Sequence, residues 1–266
     1  MINLEKTDVE VFELCVNNVS EPLGVRADQP PSFSWKFSED RRNVTQKAYR
    51  ITVGSSEGAS DVYAGDWVES NEQYGVTCDG LNLTSQTRYY WQVEVKDDAE
   101  NVGSASSCFE TALTDAEWEQ ATWIGGKDIR RLRNEITLKD DVKKARVYVT
   151  GLGYYEFFVN GDKVGDRILD PAYGNYFEIV RYACFDITEQ LHKGENSLGM
   201  LLAKGLYGEK FSNVRKGIMY LSVEYVSGET EIFVTNSDWK MTETSAYTRE
   251  EPYSGEDYDA RRRTAG

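Results

Sequence analysis

Apolar and polar residues alternate in short runs through the first part of the chain. Phe33–Phe37, Tyr49–Val53, Gln73–Cys78, Tyr89–Val95 and Ser107–Thr111 each read as a strand, separated by clusters of Gly, Asn, Asp or Ser. Phe33, Trp35 and Phe37 share one face of an early strand. The run TRYYWQVEVKDDAENVG then alternates aromatics and valines ahead of a polar hairpin ending at Gly103. This rhythm predicts a seven-strand sandwich of about 100 residues, with these aromatics as core rather than as a ligand platform. No long amphipathic helix is predicted anywhere.

The pattern changes at LTDAEWEQATWIGG, an acidic, aromatic stretch without alternation. The expected division is therefore a first domain over residues 1–113, a connector over 114–126 and a second domain over 127–266. Trp118 and Trp123 are expected to pin one domain against the next. The second domain opens with three strand-like runs, and Asn160-Gly161 between FFV and DKV signals a tight hairpin of type I′. Ser227-Gly228 marks a second hairpin, and a polar tail follows. About eight short strands joined this way predict a jelly roll. The fold class is all-β. The first domain resembles fibronectin type III sandwiches and the second resembles galactose-binding-like jelly rolls.

Charge narrows the partners. Forty-five Asp and Glu against 30 Lys and Arg give a net charge of −15, which repels phosphate backbones and anionic lipid, so neither nucleic acid nor membrane is expected as a partner. The opening MINLEKTDVE has neither the basic start nor the apolar run of an export signal, and no stretch approaches about 18 consecutive apolar residues, so a cytoplasmic location is expected. Cys15, Cys78, Cys108 and Cys184 are scattered without metal-ligand spacing and are expected to be unpaired thiols.

Candidate chemistry is sparse. Glycoside hydrolysis needs two carboxyl groups about 5 to 9.5 Å apart. The clusters available are Asp166 with Asp170, and Glu256, Asp257 and Asp259; both read as solvated or structural carboxylates, so no catalytic residue is assigned. His192, the single histidine, sits in a surface turn and supports neither a histidine metal site nor a nucleophile–base pair. The glycines of GLGYYEFFVNG precede no helix that could hold phosphate. The best binding candidate is RILDPAYGNYFEIVRY, where Asp170 and Asn175 could hydrogen-bond a sugar and Tyr173 and Tyr176 could stack on it. The alternative there is a turn capped by Asp170 with tyrosines packed on a neighbouring domain.

FFVNGDKVGD and FDITEQLHKGENSLGMLL resemble the sugar-binding jelly rolls found beside glycoside hydrolase catalytic domains. Taken with EPLGVRADQPPSFSWKF, ATWIGG, ARVYVTGLGYYEFFVNGDKVGDRILDPAYGNY and GEDYDARR, they make the chain similar to the N-terminal region of bacterial α-L-rhamnosidases. That resemblance implies a fibronectin-like domain, then a β-sandwich accessory domain, with a catalytic (α/α)₆ barrel of the same polypeptide beyond Gly266 carrying the acid and base. It implies a rhamnose-containing carbohydrate as a possible ligand, with calcium as a possible accompanying ion and no other cofactor. It also places Tyr258, Asp259 and Arg261 at the junction leading to the barrel. Two motifs depart from the family: Ala172-Tyr173-Gly174-Asn175 stands where Gly-Trp-Thr-Asp is usual, and Gly205-Leu206-Tyr207 where Gly-Trp-Tyr is usual. The competing functions are a free-standing carbohydrate-binding module and a pair of spacer domains without ligand.

Overall fold

The alternating runs of the first part form strands because each buries one face and leaves the other to charge or water. In the computed structural model, which describes residues 9–262, the chain divides into two units, Met1–Thr114 and Asp115–Gly266. The first unit holds β1 (Glu10–Val16), β2 (Ser32–Ser38), β3 (Gln46–Gly54), β4 (Tyr63–Ala64), β5 (Val68–Glu69), β6 (Val76–Thr77), β7 (Arg88–Asp97) and β8 (Val102–Glu110). One sheet has the order β1-β2-β6; the other runs β4-β3-β7-β8, with β5 also on β3. Phe33, Trp35, Trp91, Val93 and Phe109 fill the core at no more than 2% exposure. Burial of each such side chain stabilises by about 1.5–3 kcal/mol. Trp91 Nε1 is buried without a hydrogen-bond partner among the described residues, but other buried polar groups are paired: Trp35 Nε1 donates to Gln46 Oε1 at 2.9 Å. Asp97, wholly buried, accepts from the backbone of Ala99 and from both the backbone and the amide of Asn101.

One predicted strand is shorter than expected. Within Gln73–Cys78 only Val76–Thr77 pairs regularly. Gln73 O still accepts from Trp35 N at 3.0 Å, but the Gly75 N–H turns to the Ser34 hydroxyl at 3.2 Å and breaks the ladder between them.

The second unit opens with a single helical turn, α1 (Asp115–Trp118), and β9 (Ile124–Gly126). It continues through β10 (Arg131–Leu138), β11 (Val142–Leu152), β12 (Tyr154–Val159), β13 (Asp162–Lys163) and β14 (Ala183–Asp186). After a 3₁₀ turn at Thr188–Gln190 come β15 (Gly194–Ala203), α2 (Gly205–Lys210), β16 (Arg215–Tyr225), β17 (Thr230–Val234) and β18 (Lys240–Thr242), then the hairpin β19 (Tyr247–Glu251) and β20 (Gly255–Tyr258). Two sheets face each other, ordered β13-β12-β15-β10-β18 and β14-β11-β16-β17, with β9 on β16. Leu132, Val147, Phe157, Leu198, Leu221 and Trp239 belong to the core between them.

The Asn160-Gly161 turn forms as predicted, with φ of 53° and 93°. Asn160 also donates to Gln190 O and Asn196 Oδ1, and Asn196 in turn braces the His192–Gly194 backbone. Two features were not anticipated. α2 occupies a segment for which no element was predicted, and the expected polar tail is the hairpin β19–β20. That hairpin is stabilised across its strands, by Arg249 forked on Asp257 at 2.8 and 3.1 Å and by Tyr247 against Tyr258 at 5.2 Å, rather than by an apolar face. Trp118 packs on Tyr182 of its own unit at 5.2 Å. Among the described residues no helix is long and apolar enough to cross a membrane. The first eight residues, on which the export reading partly rests, lie outside the described residues.

Candidate functional site

The long connection between β13 and β14 carries the four residues singled out for sugar binding. It leaves the sheet edge and is tied back at Asp170: the carbonyl accepts from Tyr155 N at 3.0 Å and Oδ2 accepts from the Tyr155 hydroxyl at 2.7 Å. Arg167 stands 3.9 Å from the same carboxylate. Burial, reinforced by that carboxylate, pushes the Tyr155 phenol well above its ordinary pKa, so it stays a neutral donor. Five residues on, Asn175 turns the chain. Its carbonyl accepts from Glu178 N and Ile179 N, both at 2.9 Å, and its Oδ1 faces Phe177 N at 3.3 Å. The far end is held by Thr150 Oγ1 donating to Arg181 O at 2.6 Å.

With both ends fixed, the loop presents rings. Tyr173 and Tyr176 meet edge to face at 5.9 Å; Tyr176 also meets Tyr207 at 5.2 Å and Phe211 at 6.0 Å, and Phe177 meets Phe211 at 5.3 Å. Lys210 caps the Tyr173 ring at 4.9 Å. α2 supplies Tyr207 and Lys210 because Gly205, at φ 55°, lets the helix start against β12; a Cβ there would lie 2.8 Å from Tyr154 N. Ile168 at 84%, Phe177 at 79% and Tyr173 at 51% exposure make this an open apolar face.

Tyr173 and Tyr176 are thus brought together, while Asp170 Oδ2 and Asn175 Oδ1 are taken up by the chain itself. Tyr207, Phe211 and Lys210 were missed, since their neighbourhood reads as an apolar strand ending in glycines. Nor do these residues form a calcium cage, which takes six to eight oxygen ligands. Asp170 Oδ2 is engaged by Tyr155, and among the described residues no group of three or more acidic, His or Cys side chains could hold a metal ion.

The proposed junction residues lie at the end of β20. Tyr258 packs on Tyr247, Asp259 N donates to Ala246 O at 2.8 Å, and Arg261 forks on Asp259 at 2.8 and 2.9 Å. The Arg261 bond holds the Asp259 carboxyl below the usual carboxylate range. Wholly unforeseen is a buried node in which Glu250 of β19 receives both Arg215 and Arg130. Burial and repulsion by Arg130 bring Arg215 down to about 10, which leaves it charged at neutral pH.

Two antiparallel sandwiches, one after the other along the chain, with an open aromatic loop face on the second, define a two-domain β-sandwich region. Family models agree domain by domain. Residues 11–115 match "Rha78A-like, N-terminal immunoglobulin domain" and residues 140–266 match "Alpha-L-rhamnosidase N-terminal domain". The chain belongs to the N-terminal region of the α-L-rhamnosidase family. The immunoglobulin description suits the fibronectin-like expectation, since the two share a sandwich architecture. An α-L-rhamnosidase of Formosa agariphila is 33% identical over 96% of this chain and 32% of its own length. The solved α-L-rhamnosidase of Dictyoglumus thermophilum superposes with a TM-score of 0.89 at 30% identity, over 96% of this chain and 32% of that one. The Aspergillus terreus α-L-rhamnosidase shares the fold at a TM-score of 0.82 and 24% identity, over 95% and 31%. The chain therefore spans about a third of the length of these relatives.

Proposed function

We propose that the chain is the non-catalytic accessory part of an α-L-rhamnosidase-type glycoside hydrolase, and that the aromatic loop face of its jelly roll seats the catalytic domain of the same polypeptide. The observation that carries this reading is the face itself. Ile168, Tyr173, Phe177 and Phe211 are between 41% and 84% exposed, while Asp170 Oδ2 is already bonded to Tyr155 of β12 and Asn175 Oδ1 to the backbone of Phe177. An apolar face with these two acceptor oxygens already engaged matches the buried centre of a protein interface better than a sugar subsite, which needs directed donors and acceptors. Tyr258, Asp259 and Arg261 fit the same reading as the point from which the chain leads toward that domain.

A second reading, binding of a rhamnose-containing carbohydrate, is favoured by the half-exposed ring of Tyr173 with Tyr176 beside it. The two separate by experiment. In the intact polypeptide, Phe177→Ser with Phe211→Ser should lower the melting temperature and the turnover of an aryl α-L-rhamnoside, while the isolated chain keeps its stability. Calorimetric titration of the isolated chain with L-rhamnose should show no binding at millimolar concentration. Binding that disappears in Tyr173→Ala would replace docking by sugar recognition.

A further inference from the structure

The terminal hairpin β19–β20 is attached to the jelly roll in an uneven way. Among the described residues its other side-chain bonds stay within it: Arg249 to Asp257, Thr248 to Asp257 O and Ser254 to Glu251. Its β20 strand is exposed throughout, and Tyr253 at the tip is 82% exposed. Glu250 departs from this pattern, with a side chain only 10% exposed. One of its oxygens takes Arg215, with Nε at 2.8 Å and a second bond from the same guanidinium; the other takes Arg130. Arg215 is 2% exposed, begins β16 and also donates to Lys127 O. Arg130, at 16%, directly precedes β10.

We infer that Glu250 is a positioning residue, a latch that straps the terminal hairpin onto the jelly roll by serving as shared counterion to Arg130 and Arg215. The physical logic runs from the body to the strap. Two guanidiniums side by side and out of water repel each other, and each needs an acceptor. The sandwich draws that acceptor from β19, so detaching the hairpin would leave both cations without the carboxylate they share. The hairpin is then held to the sandwich by an electrostatic demand centred on Glu250. Its functional meaning rests on the accessory reading above: a strap fixed at Glu250 gives the chain leaving at Asp259 a defined starting point.

Hydrogen exchange on this chain alone tests the latch without any sugar or catalytic domain, so its outcome is independent of the accessory reading. Glu250→Gln should speed exchange of the amides in Tyr247–Tyr258 at least tenfold while the amides of β11 and β15 keep their rates. Arg130→Gln, which leaves Arg215 paired and guards against a Glu250 variant that fails to fold, should speed the same hairpin amides by a smaller factor. Unchanged hairpin protection in either folded variant would overturn the inference. So would equal acceleration across every strand of the unit, which would make the node part of the general core rather than a latch.

Discussion

Both units gather aromatic rings, and they use them in opposite ways. In the first, Phe33 lies 4.8 Å from Trp91 and 6.1 Å from Phe109, with all three at 2% exposure or less. In the second, Tyr176 makes ring contacts of similar length with Tyr207 and Phe211, yet Tyr173 and Phe177 beside it stand open to water. Ring geometry therefore does not distinguish a core from a surface. What distinguishes them is backbone placement. The first set sits on the inward side of pleated strands, where burial follows from a period of two; the second sits on a loop and a short helix that no second layer covers. The first cluster contributes its apolar area to folding, and the second leaves its own available to a partner.

The largest expected break in this contrast is Trp91→Ala, which should cost the first unit about 3–5 kcal/mol, seen in denaturant unfolding. A loss under about 1 kcal/mol would contradict the core assignment. Asp97→Ala should come next, at roughly 2–3 kcal/mol, because it removes a buried acceptor serving three N–H groups and Arg41. Burial works to raise the Asp97 pKa, but the Asn101 side chain and backbone bonds outweigh it, so the folded value lies below the ordinary one. Its contribution is then present above the unfolded pKa of about 4 and lost as pH falls through the folded value. Wild type should lose more first-unit stability between pH 5 and pH 2 than Asp97→Asn does. Tyr155→Phe should cost about 1 kcal/mol and loosen the loop after β13, checked by exchange at Tyr173–Phe177. Least of all, Phe177→Ser should leave the isolated chain within about 0.5 kcal/mol of wild type, and a loss above about 2 kcal/mol would mean that the ring is core after all.

What sequence alone revealed follows the same division. Strand alternation and the Asn160-Gly161 turn are local signals, and both units could be outlined from them. α2 was hidden because its six residues include two glycines and lack any apolar period. The hairpin β19–β20 was hidden because its strands carry charge on both faces, and its stability comes from pairing Arg249 with Asp257. At the candidate site, Asp170 reads from sequence as a possible sugar contact, and its tie to Tyr155 depends on a strand fifteen residues earlier in the chain. Glu250 lies 35 residues from Arg215 and 120 from Arg130, separations at which no spacing rule operates.

The central claim, that the aromatic loop face is a seat for the rest of the polypeptide, is tested most directly by comparing hydrogen exchange in this chain alone and in the intact polypeptide. The account predicts that amides of Tyr173–Ile179 and Gly205–Phe211 slow at least tenfold in the intact protein, with core strands such as β11 unchanged. Equal rates at both segments in the two forms would contradict it.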